Sequence, residues 1–177
     1  MKRFLLIGAA GYIAERHMKA IKETCGNLVC AIDRFDVMGR IDSYFPDAEF
    51  FSDFADLSAF MVGKKGVDYA SICTPNYLHS EHILYSMSQG ADVICEKPLV
   101  LNPCELEPLY KTEKETGKRV FNILQLRLHP VIAALKNQID SRVASEKYDV
   151  DLTYITSRGK WYQKSWKGNA NKSGGVG

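Results

Sequence analysis

A doubly wound parallel α/β sheet, followed by the opening of an antiparallel α+β domain, is predicted by three features of this chain. Short, almost wholly apolar runs of strand length recur along it. Helix-length amphipathic segments separate those runs, and a glycine or polar turn closes most segments before the next run begins. Strands covered on both faces read as continuous apolar runs, and parallel neighbours need helical crossovers of right-handed sense.

Residues 3–8 (RFLLIG) form the first apolar run, and 11–24 read as the helix that follows. Residues 28–33 (LVCAID) make a second buried strand. A loop is expected around Pro46, then a helix over 54–62 and a third strand over 69–73 (YASIC). Residues 78–89 read as a helix stopped by Gly90, and 92–95 begin a fourth strand. A helix over 103–116 ends at Gly117 before a fifth strand over 119–124. The pattern changes after residue 125. Residues 130–140 read as one more helix. Over 149–157 (DVDLTYITS) polarity alternates, with Val150, Leu152, Tyr154 and Thr156 on one face, as in an antiparallel strand with a single packed side. The end, 168–177, is polar and rich in glycine. Two domains are therefore expected: 1–125, and a linker helix with the first strand and loop of a second domain over 126–177.

Composition narrows the function. The 177 residues, 46% of them hydrophobic, suffice for one domain of good size. A net charge of +2 without any Lys/Arg block argues against a nucleic-acid surface or a polybasic membrane anchor. Five cysteines (25, 30, 73, 95 and 104) include no C-x-x-C pair and read as thiols of a reducing compartment, with neither a disulfide frame nor a metal site. The first apolar run is too short for a signal peptide, and no later stretch approaches eighteen apolar residues; a cytoplasmic protein is expected.

Residues 8–14 (GAAGYIA) lie between the first strand and the first helix. In a Rossmann-type sheet a dinucleotide pyrophosphate meets a helix N-terminus there, favoured by exposed N–H groups and the helix dipole. The spacing G-x-x-G-x-x-A departs by one residue from G-x-G-x-x-G, so the motif by itself fits either a cofactor cradle or tight strand–helix packing. Asp33 closes the second strand 25 residues after Gly8, near the separation of about twenty at which an acidic side chain meets the ribose hydroxyls. Its carboxylate would repel a 2′-phosphate, which favours NAD over NADP. Arg34 could stack on adenine or contact that phosphate, and an ordinary polar strand end fits the same residues. No GK[ST] follows the glycines, which excludes an NTPase phosphate loop.

Residues 73–79 (CTPNYLH) follow the third strand and 95–98 (CEKP) the fourth. Open α/β sheets bind ligands at the carboxyl ends of their strands. Pro75 and Pro98 fix bends there, and Asn76, His79, Glu96 and Lys97 would face the crevice beside the glycine turn. Singly, His79 reads as an ordinary helix-start residue and Lys97 as a solvated cation; together they point to a site.

These motifs resemble those of the Gfo/Idh/MocA oxidoreductases, whose hallmarks are a glycine turn, a (T/S)-P-N-x-x-H stretch and an E-K-P tripeptide. The resemblance runs over essentially the whole chain. The phrases GAAGYIA-x-RHMKAI, IDSYFPDA, ICTPNYLH, CEKPLVLNP, LQLRLHP and DVDLTYITSRG-x-WY-xx-SWKG are similar to those of UDP-N-acetylglucosaminuronate 3-dehydrogenases, which serve bacterial O-antigen and lipopolysaccharide synthesis. The resemblance implies that Gly8, Gly11, Tyr12 and Ile13 line the pyrophosphate turn, and that Asp33 and Arg34 meet the adenosine ribose. It places Thr74, Pro75, Asn76 and His79 along the NAD dinucleotide, with Glu96 and Lys97 near the nicotinamide ribose. A cis Lys97–Pro98 bond is also implied. Oxidising a secondary alcohol removes a proton from oxygen as hydride leaves carbon, and Lys97 is the expected catalytic residue for that proton.

Arg158, Trp161, Tyr162, Trp166 and Lys167 interleave rings with cations, a composition able to hold a uracil and a pyrophosphate or carboxylate. A solvated loop with packed tryptophans is the plain alternative, and resemblance favours substrate. Gln125 and Arg127 could reach the same crevice or be ordinary strand-end residues. In the family the chain continues after the S-G-G segment into a histidine-bearing helix, and that histidine is a principal proton acceptor. His17, His79, His82 and His129 do not match its position. The chain is thus expected to be an N-terminal part that binds NAD but turns over slowly or not at all, with a homo-oligomeric full-length protein. Tyr110 and Lys114 match Y-x-x-x-K, the pair of short-chain dehydrogenases, but sit on a polar helix and read as a chance match. Another sugar or polyol dehydrogenase of the same family is the alternative substrate reading. A non-catalytic dinucleotide or nucleotide-sugar sensor is a further alternative, and the presence of Lys97 argues against it. A methyl-donor enzyme would share the glycine turn and acidic strand end, and the E-K-P and T-P-N-x-x-H stretches speak against that.

Overall fold

A computed structural model describes residues 1–63, 66–142, 145 and 147–175. Residues 176 and 177 of the glycine-rich end lie outside the described residues. Six strands form one sheet: β1 (Arg3–Ile7), β2 (Asn27–Ile32), β3 (Glu49–Phe51), β4 (Tyr69–Ile72), β5 (Asp92–Cys95) and β6 (Val120–Asn122). Their order is β3-β2-β1-β4-β5-β6, and every pair is parallel. The chain winds outward from β1 to β3, then returns to β1's other side with β4. That reversal opens a crevice at the carboxyl ends of β1 and β4, the topological switch point of a doubly wound sheet.

The helices cover the sheet through their apolar stripes. Helix α1 (Ala14–Glu23) buries Ala14, His17, Met18 and Ile21, spaced as one helical face, and its apolar members pack on Phe4, Leu6, Leu28 and Ala31. On the opposite face, α3 (Phe54–Gly63) sets Leu57 and Met61 against Leu5, Ile7 and Cys30. Helix α4 (His79–Ser88) and α5 (Leu106–Thr116) enclose Ile72, Val93 and Cys95 with Ile83, Met87 and Leu109.

Two expectations are corrected. The stretch read as a loop around Pro46 contains a short helix α2 (Met38–Asp42) and strand β3, so the sheet has six strands rather than five. Both elements are too short for a readable period: α2 buries Ile41 alone, and β3 is three residues that pair with Cys30, Ala31 and Ile32. The second correction concerns 149–157, expected as the first strand of an antiparallel domain. No strand forms there among the described residues, and Val150, Leu152, Tyr154 and Ile155 are all at least 79% exposed. Alternation marks which face a strand could bury, but a strand exists only where a neighbour takes its hydrogen bonds. Helix α6 (Pro130–Asp140) matches its expected span, and Val131, Ile132, Leu135 and Ile139 are exposed on it. The chain then turns back through two 3-10 turns, Tyr162–Lys164 and Trp166–Gly168, into α7 (Ala170–Ser173), which lies against the turn after β4.

Candidate functional site

The glycine turn and the end of β4 are in direct contact. Gly8 has φ +89°, and a Cβ built on it would lie 2.7 Å from the Thr74 amide nitrogen and 2.8 Å from the Cys73 carbonyl carbon. A Cβ at Gly11 would lie 2.9 Å from the Cys73 carbonyl oxygen. Backbone approaches backbone so closely that no side chain fits at either position. The turn is closed by the Gly11 amide donating to the Gly8 carbonyl at 3.0 Å, and helix α1 starts at Ala14, later than its expected start at residue 11. Among the described residues nothing accepts from the amides of Tyr12 and Ile13, which precede the first turn of α1. Free amides at a helix N-terminus favour an anion. The Tyr12 side chain is exposed, while Ile13 is partly buried against the core under α1.

Asp33 stands beside this turn. One carboxylate oxygen accepts the Ala10 amide at 2.9 Å and the other the Phe35 amide at 3.1 Å. Each oxygen keeps a further lone pair for an outside donor such as a sugar hydroxyl. Arg34 lays its guanidinium over the neighbouring Phe35 ring, 4.8 Å from the centroid.

Thr74, Pro75 and Asn76 turn the chain from β4 into a 3-10 turn, Asn76–Leu78, and then α4. The Asn76 side-chain amide donates to the Ser173 carbonyl at 2.8 Å, tying α7 to this rim, and Lys172 sits over the Tyr77 ring. His79 is fully buried, with Nδ1 2.7 Å from the Pro98 carbonyl oxygen and Nε2 2.9 Å from that of Thr74. Both ring nitrogens are thus engaged inside the protein. Where the resemblance places His79 along a dinucleotide, the structure buries it beneath the crevice, bridging the Thr74 and Pro98 turns. His82 is 2.9 Å from the Thr74 hydroxyl and stacks on Phe54. Burial, with the neighbouring His79, pushes its pKa down to about 4, so the ring is neutral at pH 7.

This depression has a consequence for stability. In the unfolded chain His82 takes its proton near 6.5, and in the folded chain only near 4. The unfolded state therefore binds more protons between those values, and stability falls as pH drops through that window, by up to about 3 kcal/mol. Urea unfolding followed from pH 7 to pH 4 measures this, and His82→Gln is expected to flatten the slope.

Glu96 and Lys97 follow β5, and the Lys97–Pro98 peptide bond is cis, as the resemblance implies. Glu96 is buried with Oε1 3.2 Å from His17 Nε2, while Oε2 accepts the Lys97 backbone amide at 3.4 Å. Burial raises its pKa, but the hydrogen bond and charge of His17, together with the Lys97 amide and ammonium, outweigh this and hold it below the usual carboxylate value. The Lys97 side chain is exposed at the crevice rim and makes no ion pair among the described residues. The Asn122 side chain donates to the carbonyls of Cys95 and Glu96, fixing this turn from β6.

Gln125 and Arg127 lie on a 3-10 turn, Gln125–Leu128, and are exposed; Gln125 also lines a cavity of about 350 Å³ beside His17, Ser71 and Glu96. The expected substrate group collects near α7. Lys167 places its ammonium over both Trp161 and Trp166, 5.4 and 5.7 Å from the ring centroids, and Arg158 lies over the buried Tyr162. The neighbouring α7 meets the crevice rim through the Asn76–Ser173 bond and through Lys172 over Tyr77. His17, Ser71, His82 and Asn122 carry no motif. His17 falls within the RHMKAI phrase without a role of its own, and the other three show in the sequence only as polar residues in helices or strands that also carry apolar stripes. Among the described residues, no three His, Cys, Asp or Glu side chains are grouped to hold a metal ion, and no helix is long and apolar enough to cross a membrane.

Comparison with known proteins places this geometry. The family described as "Oxidoreductase family, NAD-binding Rossmann fold" (GFO_IDH_MocA) matches residues 2–124. A crystal structure of the WlbA (WbpB) dehydrogenase from Thermus thermophilus, in complex with NAD and UDP-GlcNAcA, is 48% identical with a TM-score of 0.91, covering 99% of this chain and 58% of that one. The WlbA dehydrogenase from Bordetella pertussis, in complex with NADH and UDP-GlcNAcA, is 26% identical with a TM-score of 0.69, over 79% of this chain and 42% of that one. D-glucoside 3-dehydrogenase of Escherichia coli (strain K12) is 31% identical over 81 residues, 46% of this chain and 23% of its own length. The chain thus spans between 23% and 58% of the length of these relatives.

Proposed function

The chain belongs to the Gfo/Idh/MocA oxidoreductase family through its NAD-binding Rossmann domain, and from that premise we propose that it serves an NAD-dependent UDP-sugar dehydrogenase. The reaction is oxidation of the carbon 3 hydroxyl of UDP-2-acetamido-2-deoxyglucuronate to a ketone, in bacterial surface-polysaccharide synthesis. The observation that supports this reading is the meeting of the glycine turn with the Asp33 carboxylate and the Thr74 turn at the switch point, with the Lys97 turn at the end of the neighbouring strand β5. The 48% identity to the Thermus thermophilus enzyme supports the choice of sugar.

The residues present fit the coenzyme. The free amides of Tyr12 and Ile13 would receive the pyrophosphate, on a turn that packs against Cys73 and Thr74 only because neither Gly8 nor Gly11 carries a Cβ. Asp33 accepts the adenosine ribose hydroxyls, with Arg34 beside it. Thr74, Pro75 and Asn76 form the wall along the dinucleotide, held by His79 beneath, and Glu96 fixes the turn that offers Lys97. NAD⁺, when bound, supplies the hydride acceptor. Lys97 would accept the proton of the carbon 3 hydroxyl as a neutral amine, or steady the developing alkoxide as an ammonium, while the hydride leaves carbon for the coenzyme. Arg158, Trp161, Tyr162, Trp166 and Lys167, with Gln125 and Arg127, form the nucleotide-sugar side. As parts of the same proposal, residues 1–125 are the coenzyme domain and 126–177 begin the substrate domain, and the enzyme works in the cytoplasm as a homo-oligomer.

Calorimetry with NAD⁺, NADP⁺ and S-adenosylmethionine tests the coenzyme. Binding of NAD⁺ in preference to the other two is expected, and binding of the methyl donor without NAD⁺ overturns the reading. Asp33→Asn is expected to weaken NAD⁺ about tenfold, or about 1.4 kcal/mol, and to narrow the preference over NADP⁺. Absorbance of reduced nicotinamide across a panel of UDP-sugars then identifies the substrate.

A further inference from the structure

We propose that His17 is a positioning residue for Lys97, acting through Glu96; the proposal rests on the reading that sets Lys97 beside the nicotinamide. His17 occupies the core-facing stripe of α1 with Ala14, Met18 and Ile21, where an apolar side chain would bury at no polar cost. Instead its ring bridges three elements. Nδ1 is 2.6 Å from Ser71 Oγ on β4, and Nε2 is 3.2 Å from Glu96 Oε1 after β5. Ser71 and Glu96 are themselves buried. A carboxylate can only accept, so Nε2 carries the proton of that bond; Nδ1 accepts the Ser71 hydroxyl when the ring is neutral and donates to it when the ring is protonated.

The other oxygen of Glu96 takes the Lys97 backbone amide at 3.4 Å. A buried carboxylate deprived of its partner would protonate or turn toward water, and the Lys97 main chain would lose its anchor. His17 is thus the group that keeps Glu96 ionised and turned inward. The groups facing this carboxylate are few. Among the described residues, His17 on α1, Lys97 in the following turn, Cys73 just after β4 and Cys95 on β5 interact with it, while Arg16, Ser71 and Gln125 line the same cavity. Burial first, and then Glu96 itself, push both thiols up, so neither competes for its proton near neutrality.

The test uses chain labelled with ¹³C-glutamate and ¹⁵N, followed by NMR through a pH titration, with NAD⁺ affinity by calorimetry. In the wild type, the Lys97 amide resonance is expected to move with the Glu96 carboxyl titration. His17→Leu is expected to raise the Glu96 midpoint by about one pH unit or more and to weaken NAD⁺ at least about tenfold. His17→Gln can donate to Glu96 and accept from Ser71, and is expected to stay within about threefold of wild type. Independent titration of Glu96 and the Lys97 amide overturns the proposal, as does a folded His17→Leu chain with an unchanged Glu96 midpoint. Should His17→Leu fail to fold, the wild-type coupling and the His17→Gln values decide. A wild-type chain that shows the coupling but binds no NAD⁺ upholds the His17–Glu96–Lys97 linkage and sinks the coenzyme reading instead.

Discussion

Lys97→Met is expected to lower sugar oxidation at least about a hundredfold, close to 2.7 kcal/mol of barrier, while NAD⁺ affinity stays within about threefold. The contrast follows from where the residue sits. Its side chain is exposed at the crevice rim, without an ion-pair partner among the described residues, so removing the ammonium costs the fold little. Its main chain is what the structure holds, through Glu96 and His17. Methionine keeps the length of the stem and deletes only the charge and the proton. The assay compares the chain itself with the chain joined to the C-terminal part of the Thermus thermophilus relative, whose length it covers to 58%. A Lys97→Met rate within about threefold of wild type removes Lys97 from the chemistry.

Gly8→Ala is expected to destabilise the fold by about 2–4 kcal/mol and to weaken NAD⁺ by at least about a hundredfold. Two costs add. Alanine at φ +89° is strained on its own account, and its methyl group would press on the Thr74 amide and the Cys73 carbonyl carbon, both under 3 Å away. Those atoms belong to the end of β4, whose Cys73 amide is bonded to the Ile7 carbonyl at 2.8 Å, so they cannot retreat without opening the pairing of β1 and β4. The same displacement widens the crevice where the pyrophosphate would sit. Gly39 is a control, since a Cβ there meets nothing within 4 Å. Gly39→Ala, at a helical position, should raise the urea midpoint slightly and leave NAD⁺ affinity unchanged, whereas a Gly8→Ala chain as stable as wild type would show that the turn can relax.

Much of the sheet is readable as sequence because a strand covered on both faces is an apolar run. Leu5, Leu6 and Ile7 are almost wholly excluded from solvent, and the strand ends fall within a residue or two of their expected places. Strand β3 escapes such reading because three residues carry no period; it is a strand by virtue of lying beside β2. The stretch 149–157 fails in the opposite way. It has the period but no neighbour to bond to among the described residues.

For the site, the turns are legible and their supports are not. The glycines, Asp33, Asn76 and Lys97 occur at strand ends, where a loop residue of unusual chemistry stands out against apolar runs. His79 stands out equally, yet it is enclosed and serves as a clamp between the Thr74 and Pro98 carbonyls. His17 and Asn122 read as minor irregularities within a helix and a strand.

The amino-acid order was sufficient for the alternation of strand and helix, for the parallel winding it requires and for the turns able to receive a dinucleotide. Those are properties of short segments, set by side-chain period and by the backbone freedom of glycine and proline. Which polar groups hold those turns in place emerged only on folding: His17 meets Glu96 across 79 positions of chain, and Asn76 meets Ser173 across 97. A hydrogen bond is settled by distance and direction in space, and no local pattern encodes a partner that the sheet itself must bring near.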